Sequence, residues 1–229
     1  MLTLAIDTAS RSCSVAVADG DTLLAEINDA SGETHSRHLM AMVDQAVAMS
    51  VKHIRAIEGY AVTRGPGSFT GLRIGIGAAK GLAEAAGRPL VGVSSLEALA
   101  WQAARTDAII LPMLDARRKE VYAARYIHRD GALKPLGAER ALPPEDAVAG
   151  LAEPCLLVGD GALAYEVRLR AALGAHMQLA LPSQHVIRAS TVAFLAREGL
   201  TGALDERMTL TPHYLRPSYA DQQRHPISG

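Results

Sequence analysis

Residues 4–17 read LAIDTASRSCSVAV, and residues 112–125 read PMLDARRKEVYAAR. In each, an apolar run ends at an aspartate, Asp7 or Asp115, and a second apolar run is under way eight residues later, at Val15 or Ala123. The two aspartates are 108 positions apart, close to half of the 229-residue chain. Repetition at that spacing argues for two similar α/β lobes.

The surrounding sequence fits this division. Residues 2–7, 13–18 and 22–27 are short strand-forming runs, and Asp19-Gly20-Asp21 separates the last two. Such runs joined by Asp-Gly signals predict an antiparallel meander. The period then changes: Leu39, Met42, Val43, Ala46, Val47 and Ser50 recur at three and four, as one face of a helix does. Ser31, Thr34 and Ser36 are candidate caps before it. A strand at 57–63, a helix at 70–86, a strand at 90–94 and a helix at 96–104 complete the first half. In the second half, strands are expected at 108–114, 120–127 and 155–159, with helices near 162–173 and 190–199. Residues 132–154 are rich in Pro, Gly and Ala and show no readable third strand. The expected lobes are 1–104 and 105–215, and 216–229 reads as a polar, proline-bearing tail.

Composition narrows the function. Apolar residues make up 49% and charged residues 21%, a globular balance that excludes wholesale disorder. Lys plus Arg number 23 against 24 Asp plus Glu, so global charge does not grip nucleic acid, although a local patch can. Cys13 and Cys155 are far apart and in no CxxC pair, which excludes a zinc ribbon, a redox motif and a disulfide scaffold. The N-terminus lacks a basic start, and Asp7 interrupts its apolar run, unlike a secretory signal. No apolar stretch nears 18 residues, so no membrane span is expected. The expectation is a soluble cytoplasmic protein.

The most distinctive segment is Arg64-Gly65-Pro66-Gly67-Ser68-Phe69-Thr70-Gly71, between a strand and a helix. Free amides there can hold an anion, or the glycines can simply make a tight turn. No Gly-Lys-Ser/Thr follows, and the spacing GxGxxxG is not the dinucleotide fingerprint. Gly75, Gly77 and Gly81 interrupt the helix at about 1 kcal/mol each. Their small size predicts close approach to another backbone, either inside the chain or across to a partner. Asp7 and Asp115 can hold a magnesium-bound phosphate between the lobes, or bond their own turns. Side chains crowd both turns, where a phosphate hairpin favours glycine. Gly159 and Gly161 flank a turn that can also admit a nucleotide. His35 and His38 sit three apart, without a third zinc ligand nearby. There is no HExxH and no GxSxG.

These residues resemble the TsaB (YeaZ) family. The resemblance is carried by LAIDTASRSCSVAVADGDTLLAE (4–26), THSRHLMAMVDQAV (34–47), GPGSFTGLRIGIGAAKGLA (65–83), LVGVSSLEALA (90–100) and LPMLDARRKEVYAA (111–124), with HYLRPSY at 213–219 near the end. It implies a fold of the actin/Hsp70/sugar-kinase superfamily with two RNase H-like lobes. It also implies a part in making threonylcarbamoyladenosine beside the anticodon of tRNAs that read codons starting with adenine. The chain would be a non-catalytic scaffold for TsaD and the ATPase TsaE, would pair with itself when TsaD is absent, and would meet tRNA through the complex. ATP and magnesium would belong to the partner subunits, with no cofactor on this chain. TsaD-like proteins carry a metal-binding HxxxH whose positions fall here on Ser95 and Leu99, neither a good metal ligand. The expected partner-binding faces are Leu39, Met42, Val43 and Ala46 on one helix and Gly71, Leu72, Gly75, Ala78 and Ala79 on the next. A vestigial nucleotide cleft would use Asp7, Gly65, Gly67, Asp115, Gly159 and Gly161. The alternative is an ATPase or kinase of the same superfamily working in that cleft.

Overall fold

The computed structural model describes residues 1–32, 35–103 and 106–216. The candidate cap Thr34, the side chain of Ser36, the expected lobe boundary at 104/105 and the tail beyond 216 lie outside the described residues. Strands β1 (Leu2–Asp7), β2 (Cys13–Asp19) and β3 (Thr22–Asp29) form the expected meander. Helix α1 (His35–Met49) follows, then β4 (Gly59–Gly65), α2 (Phe69–Ala86), β5 (Leu90–Ser94) and α3 (Ser95–Gln102). The five strands make one sheet in the order β3-β2-β1-β4-β5, with β4 and β5 parallel to β1. Ser68 caps α2 by accepting a hydrogen bond from the Gly71 amide at 3.2 Å. Gly87, left-handed at φ 63°, ends it.

The second half repeats the plan. Its elements are β6 (Ile109–Arg117), β7 (Glu120–Ala123), β8 (Tyr126–Arg129), β9 (Ala132–Pro135), β10 (Arg140–Leu142), α4 (Pro144–Val148), β11 (Cys155–Val158), α5 (Asp160–Ala164), α6 (Glu166–Leu173), β12 (Met177–Leu179) and α7 (Ala189–Thr201). The sheet order β10-β7-β6-β11-β12 reproduces that of the first sheet, with the β8–β9 hairpin added beside β6. The repeat therefore lies in the topology as well as in the sequence.

Four expectations change. The run 120–127 splits into β7 and β8, because the chain breaks at Arg125, whose guanidinium bonds the carbonyls of Ala147 and Ala149. The missing third strand is β10, only three residues long and so too short to display alternation. The expected helix at 162–173 is two helices, α5 and α6, which meet at Tyr165. Helix α7, which falls in the second half by position, packs on β1, β2, β4 and β5 of the first sheet. There Ser14 accepts a hydrogen bond from the Ala189 amide at 2.8 Å, and Arg188 pairs with Glu26.

The first sheet is thus covered by α1 and α2 on one face and by α7 on the other, while α3 contacts β4, β5 and β6. One apolar core runs from the first sheet through α3 to Ile110, Leu114, Tyr126 and Leu156 of the second. A smaller core lies on that sheet's other face, under α4 and α6. The C-terminal segment then ties the sheets together. Glu206 bonds Leu90 and Gly92 on β5, and the His213 amide bonds Arg64. Tyr214 stacks on Phe69 at a centroid distance of 4.9 Å, and Arg216 pairs with Glu120 at 2.8 Å.

Candidate functional site: the cleft between the sheets

A cleft of about 590 Å³ lies where the β1–β2 and β6–β7 turns face each other. Ala9, Ser10, Arg11, Ser68 and Thr70 line one side, and Asp115, Arg117 and Asp160 the other. Asp7 is fully buried behind this wall. One of its carboxyl oxygens accepts hydrogen bonds from Thr63 Oγ1 at 2.7 Å and from the Ala9 amide at 3.1 Å. The other has no hydrogen-bond partner among the described residues. Burial, reinforced by the nearby charge of Asp160, pushes the Asp7 carboxyl up to about 7.

Asp115 does reach the cleft, but its own turn holds it. The Arg117 amide donates to it at 2.9 Å, and the Arg117 guanidinium lies 3.2 Å away. This is the self-bonded turn weighed from the sequence. Asp160, which sequence reasoning passed over within a Gly-Asp-Gly turn, accepts the Asp115 amide at 3.0 Å. Burial first, then Asp115, raises its carboxyl above the usual range. Among the described residues, no three His, Cys, Asp or Glu side chains converge as metal ligands would.

The glycines of the expected cleft are occupied by the chain itself. The Ala9 carbonyl accepts the Ser68 amide at 2.7 Å, and a Cβ on Gly67 would lie 2.3 Å from that carbonyl oxygen. A Cβ on Gly71 would lie 2.1 Å from the Thr8 carbonyl oxygen, and one on Gly75 2.2 Å from Thr8 Oγ1. Thr8 Oγ1 in turn donates to the Gly71 carbonyl at 2.8 Å. Gly65 lies against the His213 carbonyl, while Gly159 and Gly161 lie against the backbone of β6. Close approach within the molecule thus accounts for the glycine loop, and the loop's Ser68 amide is not aimed into the cleft.

The residues expected to face a partner turn inward. Leu39, Met42, Val43 and Ala46 are at most 5% exposed and belong to the first core. Gly71, Leu72, Gly75 and Ala79 are buried, and Ala78 is half-buried. The apolar periodicity marked the core face of each helix, which is its ordinary meaning. The outward faces carry Met40 and Met49 on α1 and Gly77 and Gly81 on α2, the two glycines having open space around them. Ser95 and Leu99 are fully buried. His38 is half-buried on α1, and the His35 side chain lies outside the described residues.

With this geometry in view, the relatives are informative. The family model described as "TsaD: tRNA N6-adenosine threonylcarbamoyltransferase" matches residues 27–200. The "tRNA threonylcarbamoyladenosine biosynthesis protein TsaB" of Bacillus subtilis is 32% identical over 96% of both chains. The chain belongs to the TsaB (YeaZ) family. The TsaB of Escherichia coli is 43% identical over 55% of each chain. The structure "YeaZ from Pseudomonas aeruginosa" superposes with a TM-score of 0.78 at 30% identity, covering 93% of this chain and 99% of that one. Component A of (R)-2-hydroxyglutaryl-CoA dehydratase from Acidaminococcus fermentans shares the fold alone, with a TM-score of 0.54 at 12% identity over 88% of this chain and 99% of that one. The architecture of this TsaB-family chain is that of the actin/Hsp70/sugar-kinase superfamily. Among its described residues, no helix is long and apolar enough to cross a membrane.

Proposed function

We propose that this chain is a non-catalytic scaffold subunit in tRNA threonylcarbamoyladenosine biosynthesis. It binds TsaD, and with it TsaE, and supports transfer of the threonylcarbamoyl group to the adenosine next to the anticodon. The names of its relatives support the pathway. One observation supports the scaffold role: the loop and turn that would cradle a phosphate are packed on each other through Thr8, Ala9, Ser68, Gly71 and Gly75. ATP and magnesium are then the partners' business.

The partner surface in this reading is the outward face of α1 and α2, around Met40, Met49, Gly77 and Gly81. The same face serves a second copy of the chain when TsaD is absent. Exposed methionines adapt to differing surfaces, and the glycines allow a partner helix to come near. Gly77→Leu tests this, since a Cβ there meets nothing within 4 Å. The expected result is a thermal midpoint near that of the native chain together with loss of TsaD capture. A folded Gly77→Leu chain with unchanged affinity for TsaD would refute the assignment.

A further inference from the structure

The molecule contains two tight hairpins built to one backbone plan with opposite chemistry. In the β8–β9 hairpin the turn residues are Asp130 and Gly131, at φ 54° and 76°. That is the residue type such a turn favours. In the β6–β7 hairpin the same places are held by Arg118 and Lys119, at φ 54° and 64°. Arg117 before them is also left-handed, at φ 61°, where the strand register slips. Three consecutive long cationic side chains thus occupy left-handed backbone, which L side chains resist. Strain kept where Asn-Gly would relieve it points to a use for the side chains.

Their surroundings indicate the use. All three are exposed, and Arg117 shares the mouth of the cleft with Arg11 from the opposite turn. Arg216 braces the hairpin from behind through Glu120 and the Ala116 carbonyl. Five cations therefore gather here: Arg11, Arg117, Arg118, Lys119 and Arg216. Among the described residues the acids beside them are Asp115, held by Arg117, Glu120, held by Arg216, and Asp160, which accepts the Asp115 amide. A chain with a net charge of −1 has set a positive finger on its rim.

We propose that Arg117-Arg118-Lys119 is a phosphodiester-binding finger that contacts the backbone of tRNA directly. The identity of the RNA rests on the pathway argued above. The finger itself rests on the hairpin. Contacts of this kind position an RNA without reading its sequence, and they weaken as salt releases the counterions they displace.

The test exploits the turn's geometry. Arg118→Asn with Lys119→Gly installs the residues the backbone prefers, so the double variant should gain thermal stability. Its affinity for a tRNA transcript with an unmodified adenosine should nevertheless fall about tenfold, and its salt slope should shrink by about two. Arg118→Lys should keep the native slope. Binding is measured with the full chain alone and with TsaD from the same organism. Native tRNA affinity in the Asn-Gly variant overturns the proposal, as does absence of tRNA binding by the native chain in both arms. Loss of TsaD capture in that variant also overturns it, because the finger would then be a protein contact. Failure of the scaffold reading is seen separately, as a native chain that does not capture TsaD.

Discussion

Replacing each of three glycines of α2 by alanine separates close approach inside the chain from open surface. At Gly75 the added Cβ would lie 2.2 Å from Thr8 Oγ1, on a fully buried side chain. An ordinary contact needs more than about 1 Å of extra room. Thr8 must therefore shift or rotate, and rotation breaks its 2.8 Å bond to the Gly71 carbonyl. Crowding of a filled site costs about 1–3 kcal/mol, and the buried Thr8 hydroxyl left without its acceptor costs about 1–3 kcal/mol. Alanine returns about 1 kcal/mol through helix propensity. The expected net is a loss of about 1–5 kcal/mol, which for a domain this size lowers the thermal midpoint by roughly 2–20 °C. At Gly77 and Gly81 a Cβ meets nothing within 4 Å, so each alanine should raise the midpoint by roughly 2–4 °C. Thermal denaturation followed by circular dichroism reads all three. A Gly75→Ala chain as stable as Gly77→Ala would refute the claim that α2 is fitted to the β1–β2 turn.

Two further perturbations follow from the cleft and from the C-terminal segment. The Asp7 carboxyl, raised to about 7 from an ordinary 3.8, keeps a proton that the unfolded chain releases between pH 4 and 7. Stability should then decline as pH rises through that window, by up to about 4 kcal/mol. Asp7→Asn should flatten the decline, and urea midpoints at pH 5 and pH 8 that move in parallel with the native chain would contradict this. Tyr214→Ala removes the stacking on Phe69 and the bond from Arg73. It should cost about 1–2 kcal/mol and speed amide exchange in residues 213–216, and unchanged exchange there would show that the segment is held by other contacts.

The repeat was legible because it is carried by two runs of strand-forming residues, each closed by an aspartate. Topology followed from it: the order β3-β2-β1-β4-β5 and its counterpart in the second half differ mainly by one added hairpin. Boundaries failed where no local signal existed. Strand β10 is three residues long, and the break at Tyr165 coincides with a hydroxyl reaching 3.4 Å across to Asp115, a partner 50 positions away. Placement of α7 on the first sheet rests on its apolar face and on bonds to Ser14 and Glu26, 175 and 162 positions away. The site was harder still. Apolar periodicity picked out Leu39, Met42, Val43 and Ala46 correctly as a face, but whether that face meets the chain's own sheet or a partner is decided by tertiary contact. The glycines show the same ambiguity, since Gly75 and Gly77 are two residues apart on one helix and have opposite surroundings.

That last contrast bears on how the β1–β2 turn and α2 are fitted to each other. A phosphate cradle needs backbone amides aimed into a cleft and small residues beside them. Here the small residues remain, yet Thr8 and Ala9 occupy the space they leave. The Ser68 amide bonds the Ala9 carbonyl, and the Gly71 amide bonds the Ser68 side chain. Asp7 is buried behind them, with one oxygen lacking a hydrogen-bond partner among the described residues, and burial pushes its carboxyl up to about 7. The Ser68–Ala9 and Thr8–Gly71 bonds tie the β1–β2 turn to α2, the helix whose outer face we assign to a partner. These contacts stiffen the platform that we assign to docking: the residues packed against the glycine loop are the ones that hold α2 in place.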